Sequence, residues 1–183
     1  MLQTEPKKRV RLSKSQRKAR GPIKIVETPC HVRVATRDDL LDILALAKMV
    51  HNEIGFFDIN EVKFAEAIWP QLTQNNGIIG VIGSKGKIEG AIILRISAYW
   101  YSDKQFLEEM CVFVHPEYRT AKDSRIQKLI GFSKKVASDL DLPLTIGILS
   151  NNATNAKIET YRRNFGEPVG AFFLWNAKTD TDQ

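Results

Sequence analysis

The fold of this chain is decided by residues 109–131, which read EMCVFVHPEYRTAKDSRIQKLIG. The apolar residues at the start of this stretch predict a buried strand, and a polar loop containing Arg119 follows. Beyond the loop, apolar residues recur at helical spacing from Ile126 to Leu140, which predicts an amphipathic helix. A helix N-terminus next to a strand end offers unpaired N–H groups and a partial positive charge. Those features suit an anion such as a phosphate.

This loop resembles the pyrophosphate-binding loop of the GNAT superfamily of acyl-CoA N-acyltransferases. In that family an Arg or Gln is followed by x-x-Gly-x-Gly/Ala, and the same frame here runs from Arg119 through Lys122 to Ser124. Both small-residue positions depart from the family pattern, although glycine lets a backbone approach a phosphate without a Cβ in the way. Lys122 keeps its N–H and adds an ammonium, and Ser124 is a good N-cap. An ordinary strand–loop–helix connection with a solvated basic loop explains the same residues.

The resemblance implies acetyl-CoA as the cosubstrate. Its pantetheine arm is expected between two strands that splay apart at residues 114 and 149, and its pyrophosphate on the N–H groups of residues 121–124, with Arg119, Lys122 and Arg125 adding positive charge. The cofactor-binding residues carried over in this way are Val112, Phe113, Val114, Arg119, Ala121, Lys122, Asp123, Ser124, Arg125 and Asn152. Asn152 is a weaker match to the family register, and helix capping explains it equally well.

Tyr161 is the first predicted catalytic residue. Members of the family often end their last helix with a Tyr followed shortly by Gly-Phe, and here the final pair is reversed to Phe165-Gly166. In family terms Tyr161 is the general acid that returns a proton to the CoA thiolate. A phenol with a pKa of about 10 is a reasonable donor to a thiolate of pKa about 8.5. A core tyrosine at a helix end is the competing interpretation.

Glu109 is the second predicted catalytic residue, as the general base that takes a proton from an amine directly or through water. Alternation along the strand predicts a core-facing set, Met110, Val112 and Val114. The opposite set is expected to face a cleft and comprises Glu109, Cys111, Phe113 and His115. Glu108 is the alternative base, because a bulge would exchange the two faces. A solvated Glu109 and a buried structural Cys111 are the plainer interpretations.

The rest of the chain predicts the order β-α-α-β-β-β-α-β-α-β. The expected class is α+β, a mixed and mainly antiparallel sheet with a central parallel strand pair flanked by helices, similar to the GNAT fold over residues 31–175. Thr36 and Asp39 form a capping-box pattern, and Asn60 can cap the second helix. Pro70 is expected to interrupt that helix or to start a new turn. Asn151 or Asn152 can cap the last helix. The predicted strands are 31–35, 78–82, 88–96, 106–114, 144–149 and 169–175.

One departure from the family lies at the C-terminus, where only the single strand 169–175 is predicted instead of two. Two explanations stay open. The sheet edge is shorter, or a partner completes it, and a homodimer is one such arrangement.

Composition limits the remaining alternatives. A chain of 183 residues, 43% hydrophobic and 26% charged, suits one globular domain. No apolar run approaches the length of a membrane span, and no signal-peptide core follows the basic start. Cys30 and Cys111 lie far apart without metal-ligand spacing, which indicates reduced thiols in the cytoplasm. If the chain resembles the short phage-encoded members of the superfamily, that cytoplasm is the host's.

The positive charge is concentrated in residues 1–24, which carry a net +8, while the remaining residues carry −2. We therefore expect a basic disordered tail at 1–24 and a GNAT-like domain at 25–183. Such a tail can bind nucleic acid or a ribonucleoprotein through counterion release. The expected function is acetyl transfer to an amine by direct attack. The alternative is an inactive scaffold that binds nucleic acid or protein through this tail.

Overall fold

The computed structural model describes residues 32–119 and 124–175. Within these ranges the chain forms one mixed sheet in the order β1-β2-β3-β4-β5. The first four strands are antiparallel, and β5 runs parallel to β4. This is the α+β class that the sequence predicts. The elements are β1 Val32–Val34, α1 Leu40–Ile54, α2 Glu61–Leu72, β2 Gly77–Ser84, β3 Lys87–Ala98, β4 Gln105–Val114, α3 Arg125–Leu140, β5 Leu144–Ile146 and α4 Thr154–Phe165.

Helices cover both faces of the sheet. On one face α1 and α2 pack against β2, β3 and β4 around Ile43 and Ile93. On the other face α3 packs against the same strands around Leu107 and Phe132. The phenyl ring of Phe132 lies so close to Gly80 that a Cβ there would approach a ring carbon to 2.6 Å. Strands buried on both faces read as continuous apolar runs, which is why period-two alternation is weak in this sequence.

Local signals set most helix ends. Thr36 and Asp39 form the predicted capping box, and the Asn60 side chain accepts a hydrogen bond from the backbone N–H of Lys63. The predicted interruption at Pro70 is wrong, because α2 continues to Leu72. Burial of Leu72 in the core holds this last turn despite the missing N–H of proline.

The predicted cap of the last helix is also wrong. Ala153, in the left-handed region, stands at the N-cap position of α4 without a side-chain hydrogen bond. The hydroxyl of Thr154 instead donates to the carbonyl oxygen of Ser150 at 2.7 Å. The preceding loop is therefore closed by a threonine and not by Asn151 or Asn152.

The C-terminal part departs from the predicted strands. β5 ends at Ile146 and not at residue 149, because it pairs with β4 only over Leu107–Glu109. Residues 169–175 form no strand, since none of the described strands pairs with them, and their side chains are exposed. An apolar sequence favours a strand, but a strand also needs a hydrogen-bonding neighbour.

Residues 1–31, 120–123 and 176–183 lie outside the described ranges. The predicted tail, His31 and most of the predicted phosphate loop fall within them. Among the described helices, none is long and apolar enough to cross a membrane.

Candidate active site

β4 and β5 stop pairing partway along β4, and we call the region between residues 110–114 of β4 and residues 147–149, which follow β5, the gap. Their last paired residues are Glu109 and Ile146, and β4 continues to Val114 paired with β3 only. The pairing ends before residues 114 and 149, where the sequence predicts that the strands splay apart, and the splaying itself stays a prediction. Glu109 stands at the point where the gap begins.

A β-bulge at Met110 decides which way Glu109 points. Ile93 of β3 pairs with Cys111, but the next residue, Leu94, pairs with Glu109, so Met110 is an extra residue. The extra residue shifts the alternation by one. The predicted face assignment is therefore wrong. Glu109 shares the α3 side of the sheet with Val112 and Val114. The other side takes Met110, Cys111 and Phe113 against the α1 core.

The bulge brings together the two residues that the sequence predicts as catalytic. Tyr161, on α4, donates its hydroxyl proton to Glu109 Oε1 at 2.6 Å. The two residues are 52 positions apart in the chain. Glu109 is 6% exposed, and its other oxygen, Oε2, is buried without a hydrogen-bond partner. The pair thus combines a satisfied oxygen with an unsatisfied one at the start of the gap.

Burial sets the protonation of this pair. Burial raises the pKa of Glu109 to about 7, and the hydrogen bond from Tyr161 opposes that rise. Burial and the neighbouring negative charge of Glu109 raise the pKa of Tyr161 above its ordinary value. Near neutral pH the carboxyl can therefore gain or lose a proton, while the phenol stays protonated.

Cys111 and Glu108, the other groups considered on this strand, differ from the pair. Burial raises the pKa of the Cys111 thiol, which keeps it protonated and poorly nucleophilic. Glu108 forms an ion pair with Arg95, at 2.6 Å between Oε2 and Nη2. Its carboxylate is thus committed to a surface contact with β3 and not to Tyr161.

Arg119 lies where β4 ends, and both parts of its guanidinium are engaged. Its Nε donates to the carbonyl oxygen of Val114 at 2.9 Å, and its Nη1 donates to Glu53 Oε2 at 2.6 Å. Glu53 belongs to the last turn of α1 and is not predicted by the sequence. On the other side of the gap, Asn151 Nδ2 donates to the carbonyl oxygen of Gly55 at 2.7 Å. The end of α1 therefore contacts the segments that follow both β4 and β5.

Lys157 is a further cation near the gap that the sequence analysis missed. Its Nζ donates to the backbone oxygen of Asn152 at 3.0 Å and to Ser150 Oγ at 2.5 Å. Burial first, and then the charge of Arg119, lower the pKa of Lys157. A lysine in the first turn of a helix is unfavourable next to the positive end of the helix dipole. This unusual position is the sequence feature that could have singled out Lys157.

Beyond Arg119, the structure describes the predicted phosphate loop only from Ser124 onward. Ser124 caps α3 by accepting a hydrogen bond from the backbone N–H of Gln127, as predicted. Arg125 donates from Nε and Nη2 to Glu89 Oε2, at 3.0 and 2.9 Å, and its guanidinium lies over the ring of Tyr118. Arg125 thus fastens the start of α3 to β3. The predicted residues Ala121, Lys122 and Asp123 lie outside the described residues.

Comparison with known proteins gives a likeness in structure alone. No protein-family model and no curated protein matches the sequence. A possible acetyltransferase from Clostridium difficile 630 superimposes with a TM-score of 0.61 at 18% identity, over 81% of this chain and 97% of that one. A GNAT family acetyltransferase from Staphylococcus aureus gives a TM-score of 0.54 at 14% identity, over 79% and 96%.

A third structure, AAC(6')-Iy, was solved in complex with the bisubstrate analogue CoA-S-monomethyl-acetylneamine. It superimposes with a TM-score of 0.58 at 14% identity, over 81% of this chain and 97% of that one. Together these likenesses show that the chain has the GNAT fold, as the sequence resemblance predicts. The match extends over nearly the full length of each of the three proteins.

Proposed function

We propose that this protein is an acetyl-CoA-dependent N-acetyltransferase that acts by direct attack of an amine on the thioester. The observation that carries the proposal is the Glu109–Tyr161 hydrogen bond at the point where β4 and β5 stop pairing. It joins a buried carboxyl that titrates near neutral pH to a phenol that stays protonated. Acid–base chemistry needs this combination of groups, and the fold is one on which such transfer occurs.

The cosubstrate is proposed to lie in the gap. Pantetheine would run beside the backbone of Val112, Phe113 and Val114, and the pyrophosphate would lie at residues 121–124, where α3 begins. The complex of AAC(6')-Iy with a CoA-linked analogue supports this choice of cosubstrate. Asn152 is proposed to contribute through its backbone, since its carbonyl oxygen already accepts from Lys157.

The positive charge around the phosphates is assigned differently from the sequence-based expectation. Arg119 and Lys122 keep their proposed roles. Arg125 would have to leave Glu89 to reach a phosphate, so we assign it to fixing the start of α3. Arg119 would likewise exchange Glu53 for the phosphate, and that pair is exposed enough for such an exchange to cost little.

The proposed chemistry uses each member of the pair once. Glu109 takes a proton from the amine, the amine nitrogen bonds to the acetyl carbon, and the carbon–sulfur bond breaks. Tyr161 then gives its proton to the thiolate and takes up the proton held by Glu109, which restores both groups. The charge of Glu109 is one cause of the high pKa of Tyr161. Protonation of Glu109 therefore lowers the pKa of Tyr161 at the step that requires its proton.

Two variants test this proposal. Acetyl-CoA binding is measured by calorimetry, and CoA release is then followed with a thiol reagent over a panel of primary amines. We expect Glu109→Gln and Tyr161→Phe to bind acetyl-CoA normally and to slow transfer by roughly 10²–10⁴-fold. Glu108→Gln and Tyr101→Phe serve as matched controls and should transfer at the parent rate.

The outcome also separates the alternative function. If the parent protein fails to bind acetyl-CoA, the proposal is wrong. That result would favour a scaffold without catalysis that binds nucleic acid or protein through residues 1–24. Normal transfer by Tyr161→Phe would make Tyr161 a structural residue.

A further inference from the structure

A groove lies between α1 and the turn that joins β2 to β3, at the end of the sheet where β4 stops. Its volume is about 220 Å³. The buried members of its lining, Leu46 and Ile88, belong to the apolar core behind it. The Asp42 carboxylate accepts a hydrogen bond from the backbone N–H of Gly86 at 2.7 Å, which joins the helix to the turn. The other lining residues are Ala45, Met49, Lys87, His115 and Tyr118.

The lining of this groove is mainly apolar, although part of it meets solvent. Met49 is 43% exposed, and Ala45 beside it on α1 is also exposed. Covering such apolar surface stabilises a protein. The groove is smaller than the roughly 300–1,000 Å³ of typical small-molecule sites. It therefore suits one or two apolar side chains of a chain segment better than a whole small molecule.

The direction of β1 indicates which segment is close enough. β1 runs antiparallel to β2 with Val32 opposite Ile82, so β1 begins at the end of the sheet that holds the β2–β3 turn. The Arg33 Nε donates to the carbonyl oxygen of Gly83 at 3.2 Å and supports this register. Ile82 is opposite Gly90 of β3, and Gly90 is opposite Val114 of β4. The start of β1 and the end of β4 thus lie in one row across the sheet.

The chain that precedes β1 is long enough to reach the groove. Neighbouring strands lie about 4.8 Å apart and an extended chain spans about 3.3–3.6 Å per residue, so roughly five residues reach from β1 to β4. The last apolar cluster before Val32 is Ile23, Ile25 and Val26. This cluster lies far enough ahead of Val32 to reach the groove with residues to spare. In an extended segment Ile23 and Ile25 would share one side, and Lys24 would take the other.

We propose that residues 23–26 of this chain dock in the groove, with the side chains of Ile23 and Ile25 against Met49 and with Lys24 facing solvent. The docked segment anchors the basic tail. Residues 1–21, which carry a net charge of +7, then begin beside Tyr118, close to the end of β4. Docking does not depend on acetyl transfer, so it can hold or fail independently of the proposed function.

Methyl NMR of the full-length protein tests this docking. The chain has only three methionines, so the Met49 methyl signal is readily assigned. We expect nuclear Overhauser contacts between this methyl group and the δ1-methyl groups of Ile23 and Ile25. The double variant Ile23→Ser/Ile25→Ser should lose them and shift the Met49 signal. Val10→Ser/Leu12→Ser, a matched change elsewhere in the tail, should leave the contacts and the signal unchanged.

A variant of the groove itself provides a second test. Ala45→Glu places a charge at the exposed wall of the groove, whereas Leu41→Glu places the same charge on an exposed part of α1 outside it. In the parent protein and in Leu41→Glu, we expect the backbone amides of residues 23–26 to exchange hydrogen at least tenfold more slowly than those of residues 7–11. In Ala45→Glu this difference should disappear. Equal exchange of the two segments in the parent protein would overturn the proposal.

A mixed sample separates docking within one chain from docking between two copies. Protein labelled only at isoleucine methyl groups is mixed with protein labelled only at methionine methyl groups. Docking within one chain predicts no Overhauser contact in this mixture, although the contact is present in doubly labelled protein. A contact in the mixture would assign the groove to the segment of a second copy and overturn the proposal.

Discussion

Strands β2 to β4 are enclosed between helices on both faces, whereas helix α4 contains no fully buried residue. The residues that follow α4, 166–175, are all exposed. We refer to β1–β4 with α1–α3 as the packed part, and to β5, α4 and residues 166–175 as the C-terminal part. Most of the stabilising apolar contact lies in the packed part. The Glu109–Tyr161 bond joins the two parts, so the candidate site lies at their boundary.

This difference bears on how the site works. α4 is held mainly by polar and aromatic contacts, which include Lys134 Nζ donating to the carbonyl oxygen of Asn164 and lying over the ring of Phe165. Elements with few buried apolar contacts open locally at a lower free energy than the core does. If the gap holds the cosubstrate as proposed, α4 can therefore move without disturbing the packed part.

The largest expected effect is in the packed part. Leu107→Ala removes a fully buried side chain from the α3 side of the sheet, and we expect a loss of about 2–5 kcal/mol in the free energy of unfolding. Leu149→Ala is the matched control in the C-terminal part, where the side chain is exposed and the change should stay within about 0.5 kcal/mol. Urea denaturation followed by circular dichroism measures both. Similar losses in the two variants would remove the distinction between the parts.

At the boundary, Glu109→Gln should stabilise the protein. The folded-state pKa of Glu109 is raised to about 7, so between about pH 4.5 and pH 7 the folded state holds a proton that the unfolded state has lost. Stability from this group therefore falls as pH rises through that window. At pH 8 the variant should gain up to about 3 kcal/mol, and at pH 4 it should gain little.

Chemical denaturation at both pH values measures the gain. Glu108→Gln is the control, because its carboxylate is partly exposed and paired with Arg95. It should change stability by no more than about 1 kcal/mol. A destabilised Glu109→Gln at pH 8 would mean that the carboxylate is solvated or already has a cationic partner.

Sequence patterns predicted the packed part more accurately than the C-terminal part. Helix caps at Asn60 and Ser124, and the hairpin between β2 and β3, depend on neighbouring residues, so local signals were sufficient. The sequence did not predict the position of the bulge at Met110. β4 carries apolar residues on both faces, so its sequence does not show which residues face which side of the sheet. An error of one residue there reversed the predicted direction of Glu109 relative to Val112.

The prediction of the C-terminal part failed for a different reason. Residues 169–175 have a strand-like composition, but whether they pair depends on an edge that no local pattern specifies. The resemblance to the GNAT family pointed to Tyr161, and alternation along the strand pointed to Glu109. Only the fold brings their side chains together, since they lie on β4 and α4. Their catalytic roles stay predictions until the variants are measured.

A smaller effect is expected from Asp39 in the packed part. The Arg33 guanidinium donates to both carboxylate oxygens of Asp39, at 2.9 and 2.7 Å, and holds the pKa of Asp39 at about 2. The stabilisation is complete above the unfolded pKa of about 4 and is lost as pH falls toward 2. Asp39→Asn should therefore cost on the order of 2 kcal/mol at pH 7 and much less at pH 2.

Acid titration of the unfolding free energy measures this difference. Asp38→Asn is the control in the same turn, because its ion pair with Lys85 is exposed to solvent and should contribute little to stability at either pH. An Asp39→Asn cost that does not change between pH 7 and pH 2 would mean that the lost stability comes from packing and not from the charge.

The smallest expected effect tests the C-terminal part directly. Phe173 is 95% exposed, so Phe173→Ser should change the unfolding free energy by no more than about 0.5 kcal/mol at low protein concentration. A loss above about 1 kcal/mol would mean that Phe173 is covered in solution. The concentration dependence of the melting temperature would then identify the cover, because pairing with a second copy raises that temperature with concentration and pairing within one chain does not. A concentration-dependent difference would restore the homodimer as the explanation of the short sheet edge.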